Sequence, residues 1–327
     1  MKRVFMSLFI ALMAITTVQA QQIAVVAENG TTTLYRTLQE AIEGAPGGSV
    51  IYLPGGGFQI SDDVKITKKL TIIGIGHKVK GENADGNTTI TGNLFFNKGS
   101  DGSAVMGCYL SGNVNIGEDN AVHEITIRKC NLSSVQVKKS DCTGTVINQN
   151  YIRGVSNFNG AGADFTNNVA DKVDGMKSGN IAYNVFTRIA IWPDYIYTLT
   201  NCKSCTVINN VFYGIKDCSD SQFEGNMYSY DYSNYIQKAN NYYTSISNDG
   251  GGIGFLFLKY EGISPNSNFH FSEDYSQYEG QVGIYAGPEP FDDKQMAPVP
   301  YIIEKKVDPQ TDASGQLNIK IRVKASE

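Results

Sequence analysis

Four charged side chains in the middle of the chain have the types needed for acid–base work. Lys177 and Lys203 are amines able to take a proton, and Asp174 and Asp217 are carboxylates able to hold a cation or orient a base. They come from separate stretches, so they make a base-plus-carboxylate patch only if the fold stacks those stretches. The same set also describes a solvated face, and like charges on adjacent strands repel mildly. A second set is aromatic: Trp192, Tyr195 and Tyr197 in "IAIWPDYIY", and Tyr230 in "MYSYDYSNY". Flat rings stack on sugars and bury area at low entropic cost, which marks these four as carbohydrate-binding candidates. Tyrosine is also a common strand residue, and alternate ones would face a core.

What could bring such stretches together is a repeat. An apolar residue, two others, a turn residue, one more and another apolar residue recur as Val105-Cys108-Leu110, Ile127-Cys130-Leu132, Ile147-Asn150-Ile152 and Phe165-Asn168-Ala170. The series continues as Ile181-Asn184-Phe186, Val207-Asn210-Phe212 and Phe223-Asn226-Tyr228, with a degraded copy at Asn241 and Tyr243. The irregular spacing of 15 to 26 residues excludes a helical solenoid, whose units are longer and helical. It predicts an all-β fold, a right-handed parallel β-helix with one coil per repeat. Equivalent side chains then pile into columns about 4.8 Å apart. One column, Cys108, Cys130, Asn150, Asn168, Asn184, Asn210 and Asn226, is expected to be an asparagine ladder headed by two cysteines. A buried asparagine in such a tight turn is expected to bond the neighbouring backbone and the next asparagine amide, and it tolerates left-handed φ. A second column, eight positions earlier, holds Val122, Cys142, Gly160, Met176, Cys202 and Cys218, expected to point inward. Its neighbours Asp141, Asp174, Lys177, Lys203, Asp217 and Asp220 then point outward.

The six cysteines follow this geometry more closely than they follow a disulfide framework. They read as small buried residues in stacks. A bond between Cys202 and Cys218, on neighbouring coils, is left open, and Cys202-x-x-Cys205 lacks the second pair a zinc site needs. The three histidines, His77, His123 and His270, are scattered and form neither metal spacing nor a triad. No metal site is expected.

A stack of coils has open ends that must be covered. Leu34, Leu38, Ala41, Ile42 and Ala45 form a helical stripe, which predicts an N-terminal cap helix over residues 34–45. Strands are expected at Ser49 to Leu53, Val64 to Ile66 and Leu70 to Ile73. At the other end Pro288, Pro290, Pro298 and Pro300 mark an extended linker, residues 288–300. Residues 301–327 read as a β-hairpin appendage that caps the far end, meets a partner or serves export. The β-helix domain spans residues 21–287.

"TLQEAIEGAPGGSVIYLPGG" resembles the N-terminal opening of pectin-lyase-like, right-handed parallel β-helix proteins, and "VGIYAGPEPFDDKQMAPVPYI" is similar to the tail of a secreted bacterial group of mostly unassigned function. The resemblance covers roughly residues 23 to 302. It implies a cleft along outward residues of one sheet. In the family's lyases carboxylates there hold Ca²⁺ while an Arg or Lys takes a proton beside a uronate. The resemblance would thus cast Lys177 or Lys203 as the base, with Ca²⁺ as cofactor only in that case. The polygalacturonase motifs do not carry over. Asn-Thr-Asp and Gly-His-Gly are absent, Asp292-Asp293 lies outside the coils, and Arg322-Val323-Lys324, though it has the Arg-x-Lys spacing, falls in the final strand outside the coils.

Bulk properties narrow the rest. Lys2 and Arg3, an apolar run and Val18-Gln19-Ala20 predict a signal peptide over residues 1–20, hence a periplasmic, surface or extracellular location. No Cys follows the run, which argues against a lipoprotein anchor. No later segment is long and apolar enough to span a bilayer. The net charge of −5 and the absence of basic clusters argue against nucleic acid. The expected function is non-catalytic binding of a polysaccharide or another cell-envelope component, by a monomer without a cofactor. A lyase acting on uronate glycans and a structural spacer presenting its tail are the alternatives.

Overall fold

The computed structural model describes residues 22–62, 64–78, 86–187, 197–231, 241–243, 253–308, 310, 314–317 and 319–324. It is a parallel β-helix. The first face runs from Ser49–Leu53 through Leu70–Gly74 to Gln222–Glu224, each strand pairing in parallel with the next coil's. Its inward file is Ile51, Ile72, Val105, Ile127, Ile147, Phe165, Ile181, Val207 and Phe223, all buried and in register. The other strands of the coils form a larger branched sheet that supplies two more faces, so each coil turns three corners.

The first corner carries the ladder. The N–H and Nδ2 of Asn150 both donate to Oδ1 of Asn168, at 2.9 and 3.0 Å. The same pair of bonds links Asn168 to Asn184, Asn184 to Asn210, Asn210 to Asn226, and Asn226 to Asn241. The last coil, which reads as degraded in the sequence, therefore keeps its ladder residue. Each amide also donates to a backbone carbonyl, such as that of Phe165 from Asn184 at 2.8 Å, so buried polar groups that would be costly alone are satisfied together. The left-handed conformation belongs to the residue before each ladder position: Lys129, before Cys130, and Gln149, Asn167, Tyr183 and Asn209, before asparagines, have φ of 49, 58, 52, 59 and 55°. The asparagine bonds the kinked turn, and its predecessor makes the kink.

The cysteines act in the same way. Asn150 Nδ2 donates to the carbonyl two residues back, that of Asn148, at 3.0 Å and to Ile127 of the previous coil at 3.0 Å. Cys130 Sγ meets the equivalent carbonyls of Arg128 and Val105 at 3.3 and 3.8 Å. Cys205 and Cys218 do likewise at another corner. All six are buried free thiols. In the second column the inward position expected for Gly160 is taken by Ala161, because Asn159 and Gly160 are both left-handed and advance the turn by one residue.

The N-terminal end is closed by more than a helix. The helix is Leu38–Gly44, started by Thr37, whose hydroxyl accepts the Glu40 N–H while the Glu40 carboxylate accepts the Thr37 N–H, both at 3.1 Å. That capping box excludes Leu34 from the helix. Leu34 lies instead on the strand Thr32–Tyr35 and is exposed. Strand Ile23–Val26 then pairs antiparallel with Ser49–Leu53 and covers the open edge of the first face. Of the strand expected at Val64 to Ile66 only an isolated bridge from Ile66 to Phe96 forms.

A second core lies outside the coils. Tyr151, Val169, Val185, Val211 and Met227 are in register and point outward, yet they are buried. Residues 253–291 cover them with Leu256, Phe257, Phe269, Phe271, Val282, Ile284 and Phe291. From there the chain returns toward its N-terminal end as a strap along the ladder corner, over residues 282–299. The expected Pro-rich linker is thus held against the coils. Gly283 N–H bonds Asn209 O, Asn167 Nδ2 donates to Ile284 O and Ala286 O, and Gln149 Nε2 donates to Pro290 O. Lys129 Nζ then meets Asp292 at 2.7 Å. The strap is gripped by the left-handed residues themselves. At Gly107 a Cβ would lie 2.8 Å from Ala297 and 2.5 Å from Gly74 O, so the corner must be bare there. Tyr301–Val307 and Ile319–Lys324 complete the chain as an antiparallel hairpin.

Candidate functional site

Beside the first face, four successive coils form an open groove of about 780 Å³. Its walls are Thr143 and Thr145, then Ala163 and Asp164, then Lys177, Ser178 and Asn180, then Thr206. Thr145 pairs with Ala163, Asp164 with Asn180, and Asn180 with Thr206, so the lining rises coil by coil. The concavity exists because Gly144, Gly160, Gly162 and Gly179 line it without side chains. At Gly179 a Cβ would meet Met176 Sδ at 2.3 Å.

The expected lysine column is present. Lys177 and Lys203 form a parallel bridge, both side chains are exposed, and neither ammonium has an ion-pair partner among the described residues. Two like charges on adjacent coils with nothing between them disfavour the bare fold.

The carboxylates behave differently. Asp174 accepts hydrogen bonds from Thr200 Oγ1, from Asn201 Nδ2 at 2.9 Å and from Asn157 Nδ2 at 3.4 Å, which ties three coils together. Asp217, at φ 56°, sits in a file of left-handed corner residues with Asn201 and Gly175, so its short polar side chain has a backbone reason to be there. Neither lines the groove. The carboxylate that does is Asp164. It, Asn180 and Thr206 occupy the position just before the inward residues Phe165, Ile181 and Val207, a register the repeat already contained.

Of the aromatic candidates, Trp192 and Tyr195 lie outside the described residues, as does the Tyr230 side chain. Tyr197 is half-buried, with Lys216 Nζ 5.6 Å from its ring centre.

The histidines are less scattered than their spacing suggests. His77 is buried, its Nε2 meets Gln295 Oε1 of the strap at 3.2 Å, and its Nδ1 has no partner among the described residues. Burial holds its pKa down at about 4. His270 lies between Glu279, at 2.8 Å from Nδ1, and Asp293, at 3.9 Å from Nε2.

No family model matches the chain, and neither a curated protein nor a solved structure does.

Proposed function

We propose that the protein is an exported β-helix, of the pectin-lyase-like kind, that binds an anionic polysaccharide along the groove beside its first face. The observation that carries this reading is Lys177, which lines a polar, glycine-floored groove, with Lys203 bridged to it on the next coil and neither ammonium ion-paired among the described residues. An acidic polymer running along the stack would neutralise both ammoniums, and hydroxyl and amide side chains from three of the coils, Thr143 and Thr145, Ser178 and Asn180, and Thr206, would meet its sugar hydroxyls. The proposal includes the signal peptide over residues 1–20, a monomer as the working unit, and no cofactor.

Affinity electrophoresis through gels containing a uronate polymer, a sulfated glycan or a neutral glucan tests it. Retardation by the acidic polymers that fades with salt, and that the double variant Lys177→Ala/Lys203→Ala lacks, is the expected result. Equal retardation by the neutral glucan, or an unchanged double variant, removes the reading.

A second reading, a Ca²⁺-dependent lyase on the same polymers, is favoured by the Lys177 amine at the groove, with Asp164 as a carboxylate in the same lining. It requires new absorbance from an unsaturated product, lost in Lys177→Ala. The spacer reading rests on the exposed Ile319, Ile321 and Val323 of the hairpin, and unaltered surface display after deletion of residues 301–327 would end it.

A further inference from the structure

His270 stands on the strand Asn268–Phe271 of the cover over the second core, Glu279 follows the short helix Glu273–Tyr278, and Tyr285 and Asp293 belong to the strap. The packing of cover on strap gathers the four at one place. The His270 ring is fixed twice. Glu279 Oε1 holds Nδ1 at 2.8 Å, and the Tyr285 ring stacks on the imidazole with centres 3.9 Å apart and planes 5° from parallel. Glu279 is itself anchored, its other oxygen accepting the Phe271 N–H at 2.9 Å. Asp293 is fixed by the Tyr285 hydroxyl, which donates to Oδ1 at 2.8 Å.

Two atoms are left facing each other: Nε2 of His270 and Oδ2 of Asp293, 3.9 Å apart. That is too long for a hydrogen bond. It is shorter than about 4.2 Å, twice the usual metal–nitrogen or metal–oxygen bond of about 2.1 Å, so one ion between them can touch both. The carboxylate–histidine–metal arrangement is what holds imidazole ligands in place elsewhere, with the outer carboxylate setting the tautomer that leaves Nε2 free. Both carboxylates also face the same imidazole, and a cation there offsets their charges.

We propose that His270 and Asp293 bind a first-row divalent cation such as Zn²⁺, with Glu279 and Tyr285 as positioning residues and water completing the coordination. One nitrogen and one carboxylate oxygen favour Zn²⁺, Ni²⁺ or Cu²⁺ over Mg²⁺. Bound metal staples the cover to the strap.

The test is calorimetric titration of the full chain with ZnCl₂ and, separately, MgCl₂, with thermal unfolding followed in parallel. One saturable Zn²⁺ site and a raised Tm are expected, with neither seen for Mg²⁺. His270→Ala and Asp293→Ala lose the saturable heat and the Zn²⁺-induced rise in Tm, and Glu279→Gln weakens binding by about tenfold. His123→Ala, at a surface histidine on the coils, is the control and binds as the parent does. Lack of Zn²⁺ binding by the parent overturns the proposal, even if the variants are less stable, since that is the result for a plain ion pair. So does retention of the site in His270→Ala or Asp293→Ala.

Discussion

Asn184 Oδ1 receives two hydrogen bonds from one residue, the Asn168 N–H at 2.8 Å and the Asn168 Nδ2 at 3.1 Å. The oxygen is fully buried, so nothing replaces it when it is removed. Asn184→Ala leaves both donors unsatisfied and opens the carbonyls of Phe165 and Ala182. We expect a loss of about 3–5 kcal/mol, since each stranded donor costs about 1–3 kcal/mol. Urea unfolding should show a lower midpoint at an unchanged slope.

The Lys129–Asp292 pair clamps the strap with both partners largely shielded from water. Lys129→Met keeps the stem and removes the charge, leaving Asp292 and the Met296 carbonyl without it. The expected cost is about 1–3 kcal/mol, felt locally. Trypsin cleavage after the exposed Lys294 should accelerate while the coils stay intact.

His77 gives a pH dependence whose sign is fixed. Its folded pKa of about 4 lies below the ordinary 6.5, because the buried imidazole resists charging. Between these values the unfolded chain holds the extra proton. The contribution is therefore complete above pH 6.5 and is lost as pH falls toward 4, by about 3 kcal/mol in all. His77→Gln should unfold in urea with a shallower pH slope over that window than the parent.

The lysine column predicts opposite effects on stability and binding. Lys203→Glu turns a repelling neighbour into an attracting one and should raise stability by about 0.2–1 kcal/mol. The same variant should migrate freely through a uronate gel.

The inward files were legible because a coil repeats its apolar residues and its turn residue at a fixed offset, whatever the loop length. Asn150, Asn168 and Asn184 could be aligned on that offset alone, and so could the Lys177–Lys203 bridge. The place of the left-handed kink is not legible from the ladder, since asparagine tolerates that conformation but the residue before it adopts it. Gly160 was misplaced because two consecutive kinked residues shift the count. The strap and the second core left no local trace. Val169, Val185 and Val211 look like ordinary strand residues until a distant segment, residues 253–291, covers them. His270 and Asp293 were invisible as a pair for the same reason.

Stacked-coil proteins ordinarily come apart piecemeal, each coil leaning only on its neighbours. Here one extended segment touches the corners at Asn209, Asn167, Gln149, Lys129 and Gly107 in turn. It acts like a spine stitched through successive pages. A pull on the chain near Pro300 would load these stitches one after another, so the strap would peel in small steps before any coil unwound.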